Sequence, residues 1–392
     1  MTGCPASGRK LVTSPNFTLS LSADGSAYVT REVEPFGQFW LDRRERLLFS
    51  LFAGRGGAAV ESAIAGAIRL FDPAHPARER RLLERAVTEM ESAGVLIAPA
   101  GELSRYGREM ARDYLRHRPF PQALADRIAA LLPEGKGGRV LDLAAGPGSL
   151  ALELARRGGA VTMMELSRGF VGAARAEARS RGLSLEAINE SCNRLVQHDG
   201  QYDLITVSQA IHWLDDVAVL RGVLRCLAEG GSFVVVHGVM TLPERHPLSP
   251  VLGDRTPLGN KAPGAFADQV RPLLRRLSHL AEALDGGRVD RHEPWPAPTG
   301  RSPLRFAGAE LFRQERPIGL GFARAFLSDE HVAPFGLGRE AFWADIEARC
   351  HGASADDLLA VQEWAVLEFR RGAPALAPDE WAPPPTRVIA FP

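Results

Sequence analysis

From residue 139 onward, short apolar runs alternate with segments in which apolar residues recur at helical spacing. The apolar runs predict strands at 139–143, 160–165, 184–189, 202–208 and 232–237. The helical spacing predicts helices at 149–157, 168–181 and 216–228. Ser167 is placed to cap the second of these helices. Strands that alternate with helices in this order predict a doubly wound, mostly parallel sheet and therefore an α/β fold.

The pattern becomes less regular after residue 240, where proline is frequent. It predicts a helix near 266–284, a strand at 311–318, helices near 319–328, 339–350 and 354–371, and a final strand at 386–391. We expect the two late strands to close the edge of the sheet. The segments about 240–304 and 318–376 are then expected to form a helical cover.

The first 105 residues follow a different pattern. Residues 1–14 are predicted to be a flexible tail. Alternating residues on both sides of Asp24-Gly25 predict a β-hairpin, and helical stripes follow at 42–53, 60–71 and 78–93, with a short strand at 95–98. This order resembles a winged helix and the peptide-recognition modules of enzymes that modify ribosomal peptides. We therefore expect a small α+β, winged-helix-like docking or dimerisation domain at 15–105 and a second domain at 106–392.

Composition narrows the possible partners and the compartment. The chain has 47 Lys plus Arg and 47 Asp plus Glu, and residues 1–105 have 13 and 12, so a surface built to neutralise nucleic acid is not expected. The four cysteines are scattered, which predicts neither a metal site nor a disulfide framework and favours the reducing cytoplasm. The sequence shows neither a signal peptide nor a membrane-spanning run.

The stretch Val140–Ser149 reads Val-Leu-Asp-Leu-Ala-Ala-Gly-Pro-Gly-Ser, which is a strand, a glycine loop and the start of a helix. Gly146 and Gly148 let the backbone approach a ligand closely. Because the loop also satisfies G-x-G-x-x-A, an NAD-dependent oxidoreductase stays open as an alternative. Asp142 favours S-adenosylmethionine (SAM) instead, since a carboxylate there would repel a pyrophosphate but can accept from the SAM ammonium.

Further candidate residues follow later strands of the predicted sheet. Glu165 ends the second strand, where a carboxylate can bind both hydroxyls of a ribose, in SAM and NAD enzymes alike. Ser208, Gln209, His212 and Trp213 follow the strand at 202–208. Ligands of open α/β sheets bind at the carboxyl ends of the strands, so a polar and aromatic cluster there is well placed for reaction.

Tyr114 and Arg118 come just before the first strand of the sheet, in Tyr114-Leu-Arg-His-Arg-Pro-Phe-Pro121. The two prolines break the preceding helix. An aromatic ring and a guanidinium at this point could cover a bound ligand as a lid.

Val140–Ser149, Glu165 and Ser208–Asp215 together resemble class I SAM-dependent methyltransferases, and the nearest subgroup includes trans-aconitate methyltransferase. Tyr114–Pro121 is similar to the segment before the sheet of that subgroup, and Phe312–Ser328 to its late strand and cover helix. The resemblance covers the predicted second domain and implies a Rossmann-like sheet with a helical cover and SAM as cofactor.

The resemblance also implies roles for particular residues. Asp142 and the loop at 144–148 would hold the methionine part of SAM, Glu165 the ribose, and Leu166 would lie beside the adenine. Ser191-Cys192 stands where the family often has Asp-Ala beside the adenine, so the Asp contact is missing. With the lid residues, the expected cofactor-binding set is Tyr114, Arg118, Asp142, Ala144, Gly146, Gly148, Glu165, Leu166, Ser191, Cys192, Ser208 and Gln209.

The sequence thus predicts methyl transfer from SAM to an O or N atom of a small molecule or peptide, in secondary-metabolite or modified-peptide biosynthesis. His212 is the first candidate for a general base and His237 the second, while His212 and Trp213 would face the acceptor. A homodimer through the N-terminal domain is a further expectation. The alternatives are an NAD-dependent oxidoreductase and a ligand-sensing regulator with a winged helix.

Overall fold

A computed structural model describes residues 10–14, 17–21, 27–31, 37–53, 58–71, 74–93, 95–97, 108–133, 137–198, 200–211, 214, 216–252, 266–285, 301–327, 339–374 and 384–390. The chain divides into two compact units, one built on Met1–Leu103 and the other on Ser104–Val289 and Trp295–Pro392. Among the described residues, no helix has both the length and the apolar character needed to cross a membrane.

The described part of the N-terminal unit contains two small sheets and a group of helices. One sheet is an antiparallel meander in the order β2-β3-β4, and the other places β1 between β5 and β6. The strands are β1 (Lys10–Thr13), β2 (Phe17–Leu21), β3 (Ala27–Arg31), β4 (Gly37–Leu41), β5 (Ala58–Ala59) and β6 (Leu96–Ile97). The helices are α1 (Arg43–Phe52), α2 (Val60–Phe71) and α3 (Pro76–Ser92).

Local sequence explains why these helices form and pack. Asp42 caps α1 by accepting from the N–H groups of Arg44 and Glu45, and Glu45 accepts in return from the Asp42 N–H. The apolar faces of α1, α2 and α3 meet in one core that also receives Leu11 and Val29. At its edge the guanidinium of Arg44 donates twice to the buried carboxylate of Glu79, which compensates the burial of that charge.

The structure confirms the predicted hairpin and helices of this unit and corrects two points. A third strand, β4, extends the hairpin. The predicted tail is also too long, because Lys10–Thr13 form a strand between β5 and β6 and bury Leu11 in the core. Four residues are too short a run for their alternation to signal a strand without knowledge of their pairing partners. The winged-helix resemblance stays a prediction.

The second unit is organised around an eight-stranded sheet in the order β14-β12-β13-β11-β10-β7-β8-β9. The strands from β7 to β11 are parallel, and β13 runs antiparallel between β11 and β12. The bounds are β7 (Arg139–Leu143), β8 (Ala160–Glu165), β9 (Leu185–Asn189), β10 (Tyr202–Ser208), β11 (Leu227–Thr241), β12 (Leu304–Pro317), β13 (Leu359–Arg371) and β14 (Arg387–Val388). This mixed sheet with helices confirms the predicted α/β fold.

Helices cover both faces of this sheet. They are α4 (Arg108–His117), α5 (Gln122–Ala129), α6 (Ser149–Arg156), α7 (Arg168–Ser180), α8 (Asp216–Cys226), α9 (Ser249–Leu252), α10 (Phe266–Asp285), α11 (Leu320–Phe326) and α12 (Arg339–His351), with 3₁₀ turns at Cys192–Gln197 and Asp356–Leu358. Neighbouring residues of one strand enter opposite cores. Val235 belongs to the core with α8 and α10, whereas Val234 belongs to the core with α5 and α6.

The predicted helix at 354–371 is wrong, because Leu359–Arg371 form β13. This strand pairs along its length with β11 on one side and β12 on the other. Ala365 and Leu367 enter one core, and Trp364 and Val366 enter the other. A strand that is apolar on both faces loses the alternation that identifies a strand, so its sequence cannot be distinguished from a buried helix by periodicity.

The late strands of the sheet therefore differ from the prediction. The long pair of strands beside β11 is β12 with β13, and β12 begins at Leu304 rather than near residue 311. The predicted final strand is reduced to β14, which pairs with β12 through Arg387 and Val388. The second predicted cover segment therefore ends before β13 and contains α11 and α12 as its described helices.

Candidate functional site

Most of the predicted site residues lie near or just after the carboxyl ends of β7, β8, β10 and β11, which lie at one edge of the sheet. Two non-glycine residues at this edge have left-handed backbones, Ala144 with φ 48° and Gln209 with φ 57°. Each such conformation costs about 1–3 kcal/mol and persists where the surrounding structure enforces it. The backbone therefore carries strain where the sequence predicts binding.

The glycine loop between β7 and α6 needs both of its glycines. Gly146 has φ 58°, and Gly148, with φ 85°, comes directly before α6. A Cβ on Gly148 would lie 3.2 Å from the Cβ of Ala174 in α7. A Cβ on Gly146 would meet nothing closer than the Phe170 ring at 3.8 Å, so the backbone there is open to the approach of a ligand.

Glu165 fixes the conformation of this loop. Its Oε2 accepts from the N–H of Gly146 at 2.8 Å, and its Oε1 accepts from the N–H of Ser167 at 2.8 Å. The carboxylate is buried, so these charge-assisted bonds are strong. Glu165 therefore links the glycine loop to the start of α7.

Asp142 is buried beneath the glycine loop. The hydroxyl of Thr206 donates to its Oδ1 at 2.7 Å, whereas its Oδ2 makes no hydrogen bond of acceptable geometry within the described residues. Burial raises the pKa of Asp142 to about 7, against the opposing effects of the Thr206 hydroxyl and the Ala151 backbone N–H. A cation that reached Oδ2 would restore the ionised form of this carboxyl group.

Among the residues predicted beside the adenine, Cys192 contacts the same loop. The Cys192 sulfur accepts from the N–H of Ala144 at 2.9 Å, and burial raises the pKa of its thiol. Ser191 caps the 3₁₀ turn that begins at Cys192. The Leu166 carbonyl accepts from the side-chain amide of Asn189 at 2.8 Å, which fixes the backbone after β8.

Gln209 is held by β11 after Ser208 ends β10. Its N–H donates to the carbonyl of Val236 at 2.9 Å, and its Oε1 accepts from the N–H of Gly238 at 3.2 Å. A Cβ on residue 238 would collide with the amide of Gln209, so glycine is required there. The strained backbone and the held side chain place Gln209 in a fixed orientation at the carboxyl edge.

His237 is the described member of the two candidate bases. It lies near the carboxyl end of β11, is half-buried, and stacks on Phe266 with ring centroids 6.2 Å apart and an interplanar angle of 10°. His212 and Trp213 lie outside the described residues. Within the described part of the chain, no His, Cys, Asp and Glu side chains form a group able to hold a metal ion.

Tyr114 and Arg118 approach the glycine loop through α7. The Tyr114 ring packs on Phe170 with centroids 5.6 Å apart, and Phe170 is the residue nearest to a Cβ built on Gly146. The Arg118 guanidinium lies 4.3 Å above the Tyr114 ring. The end of α4 and the residue after it thus lie beside the loop, as a lid would.

Three residues of this site were not predicted from the sequence: Thr206, Ser167 as a partner of Glu165, and Asn189. Thr206 lies directly opposite Asp142 in the pairing of β10 with β7. A hydroxyl in an apolar strand opposite a buried acid is a usable signal, but it depends on knowing the register. Ser167 was predicted only as a helix cap, a role that its hydroxyl also has at the Phe170 N–H.

The arrangement fits SAM, the cofactor that the resemblance implies. Asp142 Oδ2 is a buried acceptor without a hydrogen bond among the described residues, which suits an ammonium group. Glu165 suits the ribose hydroxyls, and the open backbone at Gly146 suits close approach. A buried acid at Asp142 disfavours the pyrophosphate of a dinucleotide, since both groups are anionic.

Comparison with known proteins agrees with this geometry. Residues 140–231 match the family model described as a methyltransferase domain. This segment begins in β7 and ends in β11, so it includes the glycine loop, Glu165 and Gln209.

Individual relatives match this chain at low sequence identity. The malonyl-(acyl-carrier protein) O-methyltransferase of Geobacter sulfurreducens is 29% identical over 197 residues, which cover 48% of this chain and 73% of that protein. The biotin biosynthesis bifunctional protein BioCD of Bordetella avium is 32% identical over 167 residues, 37% of this chain and 35% of that protein. The crystal structure of the cyclase SpnF aligns with a TM-score of 0.37 and 22% identity, over 64% of this chain and 81% of that one. The chain thus spans between about a third and three quarters of the length of these two curated relatives.

The raised pKa of Asp142 predicts a specific pH dependence of stability. The folded-state pKa of about 7 exceeds the ordinary value of 3.8, so the folded state binds this proton more tightly than the unfolded state. The contribution of this group to stability is therefore largest below about pH 4 and decreases until about pH 7. We expect Asp142→Asn to remove this decrease, so that the Tm difference, mutant minus wild type, grows by about 3 °C or more between pH 5 and pH 8.

Differential scanning fluorimetry without ligand measures this difference, with Asp345→Asn in an exposed i,i+4 ion pair of α12 as the matched control. A Tm difference for Asp142→Asn that is the same at both pH values would contradict a folded-state pKa of about 7 for Asp142.

Proposed function

The chain carries a class I SAM-dependent methyltransferase domain, and from that premise we propose that it transfers a methyl group from SAM to an O or N atom of a small molecule or peptide. The observation that carries the proposal is Asp142, a buried carboxyl group just before the glycine loop whose Oδ2 has no hydrogen bond of acceptable geometry among the described residues. Glu165, which organises the loop from the next strand, supports it.

The roles of the chain's own residues follow from their contacts. The bound cofactor supplies an electrophilic methyl group on a sulfonium, so positioning of the acceptor accounts for most of the rate. Asp142 and Glu165 hold the two polar ends of the cofactor, and the lid residues Tyr114 and Arg118 exclude water from it. Gln209, fixed by β11, orients groups at the carboxyl edge.

A base is needed where the acceptor atom carries a proton. His212 remains the first candidate and His237 the second, since His212 follows β10 in the sequence and His237 lies near the carboxyl end of β11. His237 lies one residue before Gly238, whose N–H holds the Gln209 side chain. This proximity to Gln209 supports His237 as the second candidate.

The proposal for the acceptor atom draws on the names of the curated relatives. The names of two matching groups of relatives, the malonyl-(acyl-carrier protein) and the ubiquinone biosynthesis O-methyltransferases, describe transfer to oxygen. An oxygen acceptor is therefore favoured over nitrogen for this chain. A role in the biosynthesis of secondary metabolites or modified peptides remains our proposal for the pathway.

Binding measurements separate this proposal from an NAD-dependent oxidoreductase. Isothermal titration calorimetry should show binding of S-adenosylhomocysteine and no binding of NAD⁺. Glu165→Ala should weaken binding more than tenfold, because the ribose acceptor is lost and the Gly146 N–H loses its partner. Glu165→Gln should weaken it less, since one side-chain oxygen remains to accept.

Glu315→Ala, which alters an exposed carboxylate of β12, is the matched control and should leave the affinity unchanged. Binding of NAD⁺ but not of S-adenosylhomocysteine would overturn the proposal. Unchanged affinity in Glu165→Ala would remove Glu165 from the site.

For the N-terminal unit we propose self-association through β4. This strand is at one edge of the described meander and carries no charged residue, and it exposes Phe39 and Trp40, the latter to 67%. An uncharged edge strand with exposed aromatic rings is a template for pairing with another strand. Two copies of β4 paired antiparallel about a two-fold axis would satisfy both edges and bury both tryptophans.

Sedimentation velocity tests this proposal. We expect the wild-type protein to be a dimer at micromolar concentration, and Trp40→Lys to be a monomer because a charge on the edge opposes pairing. Leu70→Lys, at another exposed apolar residue of the same unit, is the matched control and should stay dimeric. A monomeric wild-type protein would leave β4 as a docking edge for the acceptor instead.

A further inference from the structure

A basic cleft of about 210 Å³ lies in the second unit between the end of α4, the end of β12 and the start of α11. It is lined by Arg116, His117, Pro119, Arg316, Pro317, Gly319, Gly321 and Phe322. Nothing in the mechanism described above uses this cleft. Among the described residues, its lining contains two arginines and a histidine and no acidic side chain.

Arg316 is the most deeply placed charge of the cleft. Its residue is 5% exposed, and one guanidinium nitrogen donates to the carbonyl of His117 at 2.7 Å. Burial, together with the nearby charge of Arg118, lowers the pKa of Arg316 to about 10. A guanidinium at that pKa is still charged at neutral pH, so the positive charge persists within the fold.

Arg118 and Arg316 are joined by one aromatic ring. The guanidinium carbons of Arg118 and Arg316 lie 5.5 Å and 5.8 Å from the centre of the Phe322 ring. The ring is buried and packs α11 against the end of α4. Two like charges held around one ring repel each other, and an anion bound to Arg316 in the cleft would offset this repulsion.

His117 completes the wall of the cleft. A Cβ built on Gly321 would collide with the His117 imidazole, so the ring lies directly against the backbone of α11. A larger residue at position 321 would have to displace the His117 ring. The three basic side chains Arg116, His117 and Arg316 thus line one cleft on rigid secondary structure rather than on a loop.

The position of the cleft distinguishes the acceptor side from the cofactor side. In the sheet order, β12 is separated from β7 by four steps, each about 4.8 Å. The glycine loop follows β7, whereas the cleft follows β12, beyond the ends of β10 and β11 that carry Gln209 and His237. The end of α4 bridges the two sides, because Tyr114 contacts Phe170 after β8, and Arg118 contacts Phe322 after β12.

We propose that this cleft binds an anionic group of the methyl acceptor, a carboxylate or a phosphate, with Arg316 as the principal ligand and Arg116 and His117 at its rim. The inference rests on the proposed methyl transfer and specifies its substrate class. A planar guanidinium matches either oxyanion with two parallel hydrogen bonds. Binding there would place the remainder of the acceptor along the carboxyl edge, toward Gln209 and the glycine loop.

Malonate and inorganic phosphate serve as probes, titrated by calorimetry into the full-length protein with and without saturating S-adenosylhomocysteine, in a buffer free of other oxyanions. We expect the wild-type protein to bind at least one of them with a millimolar Kd. Arg316→Gln should weaken that binding at least tenfold and Arg316→Lys less, while the affinity for S-adenosylhomocysteine changes by less than twofold.

Arg116→Gln alters the exposed rim, should fold normally and should weaken anion binding about threefold, which keeps the test valid if Arg316→Gln is unstable. Arg349→Gln, on the surface of α12, is the matched control for net charge. Absence of binding by the wild-type protein, or equal affinity in Arg316→Gln and Arg349→Gln, would overturn the proposal.

Tighter binding of malonate would indicate a carboxylate acceptor, and tighter binding of phosphate would indicate a phosphorylated one.

A tenfold loss of S-adenosylhomocysteine affinity in Arg316→Gln would assign Arg316 to the cofactor and overturn the acceptor assignment. Failure of the wild-type protein to bind S-adenosylhomocysteine would contradict the proposed function. Titration of malonate and phosphate in the absence of S-adenosylhomocysteine would still test anion binding in the cleft.

Discussion

The hydrogen bonds from two backbone N–H groups to the Glu165 carboxylate are the interaction on which the proposed site depends. They come from Gly146 in the glycine loop and from Ser167 before α7, so one buried side chain fixes two loops that follow neighbouring strands. Glycine makes the first loop possible, because positive φ at residues 146 and 148 is needed for the chain to turn into α6. The carboxylate limits the freedom that glycine gives to this loop.

Buried charge at the carboxyl edge is the second constraint. Asp142 has one satisfied oxygen and one without a hydrogen bond in the described structure, and its pKa near 7 expresses the cost of ionising it there. On the far side, Arg316 stays charged in a cleft next to Arg118. Each group is costly in the free protein and less costly with a ligand of opposite charge. An acidic site for a cationic donor and a basic cleft for an anionic acceptor would orient the two reactants from opposite ends of one edge.

Local features of the site could be predicted from the sequence, whereas features that depend on pairing between distant strands could not. Asp142, Gly146 and Glu165 lie within one strand-loop-helix-strand segment, whose spacing alone brings them together. Thr206 reaches Asp142 only because β10 pairs with β7. Arg316 comes close to this edge only because the end of α4 packs against it.

The same distinction between local features and strand pairing explains which parts of the fold could be predicted. The parallel strands from β7 to β11 alternate with helices and were predicted close to their observed bounds, although β11 is longer than expected. The strand β13 is apolar on both faces, so its pattern indicated a helix, and only its pairing with β11 and β12 defines it.

The central claim is that Asp142 receives the cationic end of the cofactor. Calorimetric titration of S-adenosylhomocysteine at pH 6, in two buffers with different ionisation enthalpies, measures the protons released on binding. The wild-type protein should release about one proton more than Asp142→Asn, because the carboxyl group is protonated before binding and ionised afterwards, and the difference should vanish above pH 8. Equal proton release by the two proteins at pH 6 would contradict the claim.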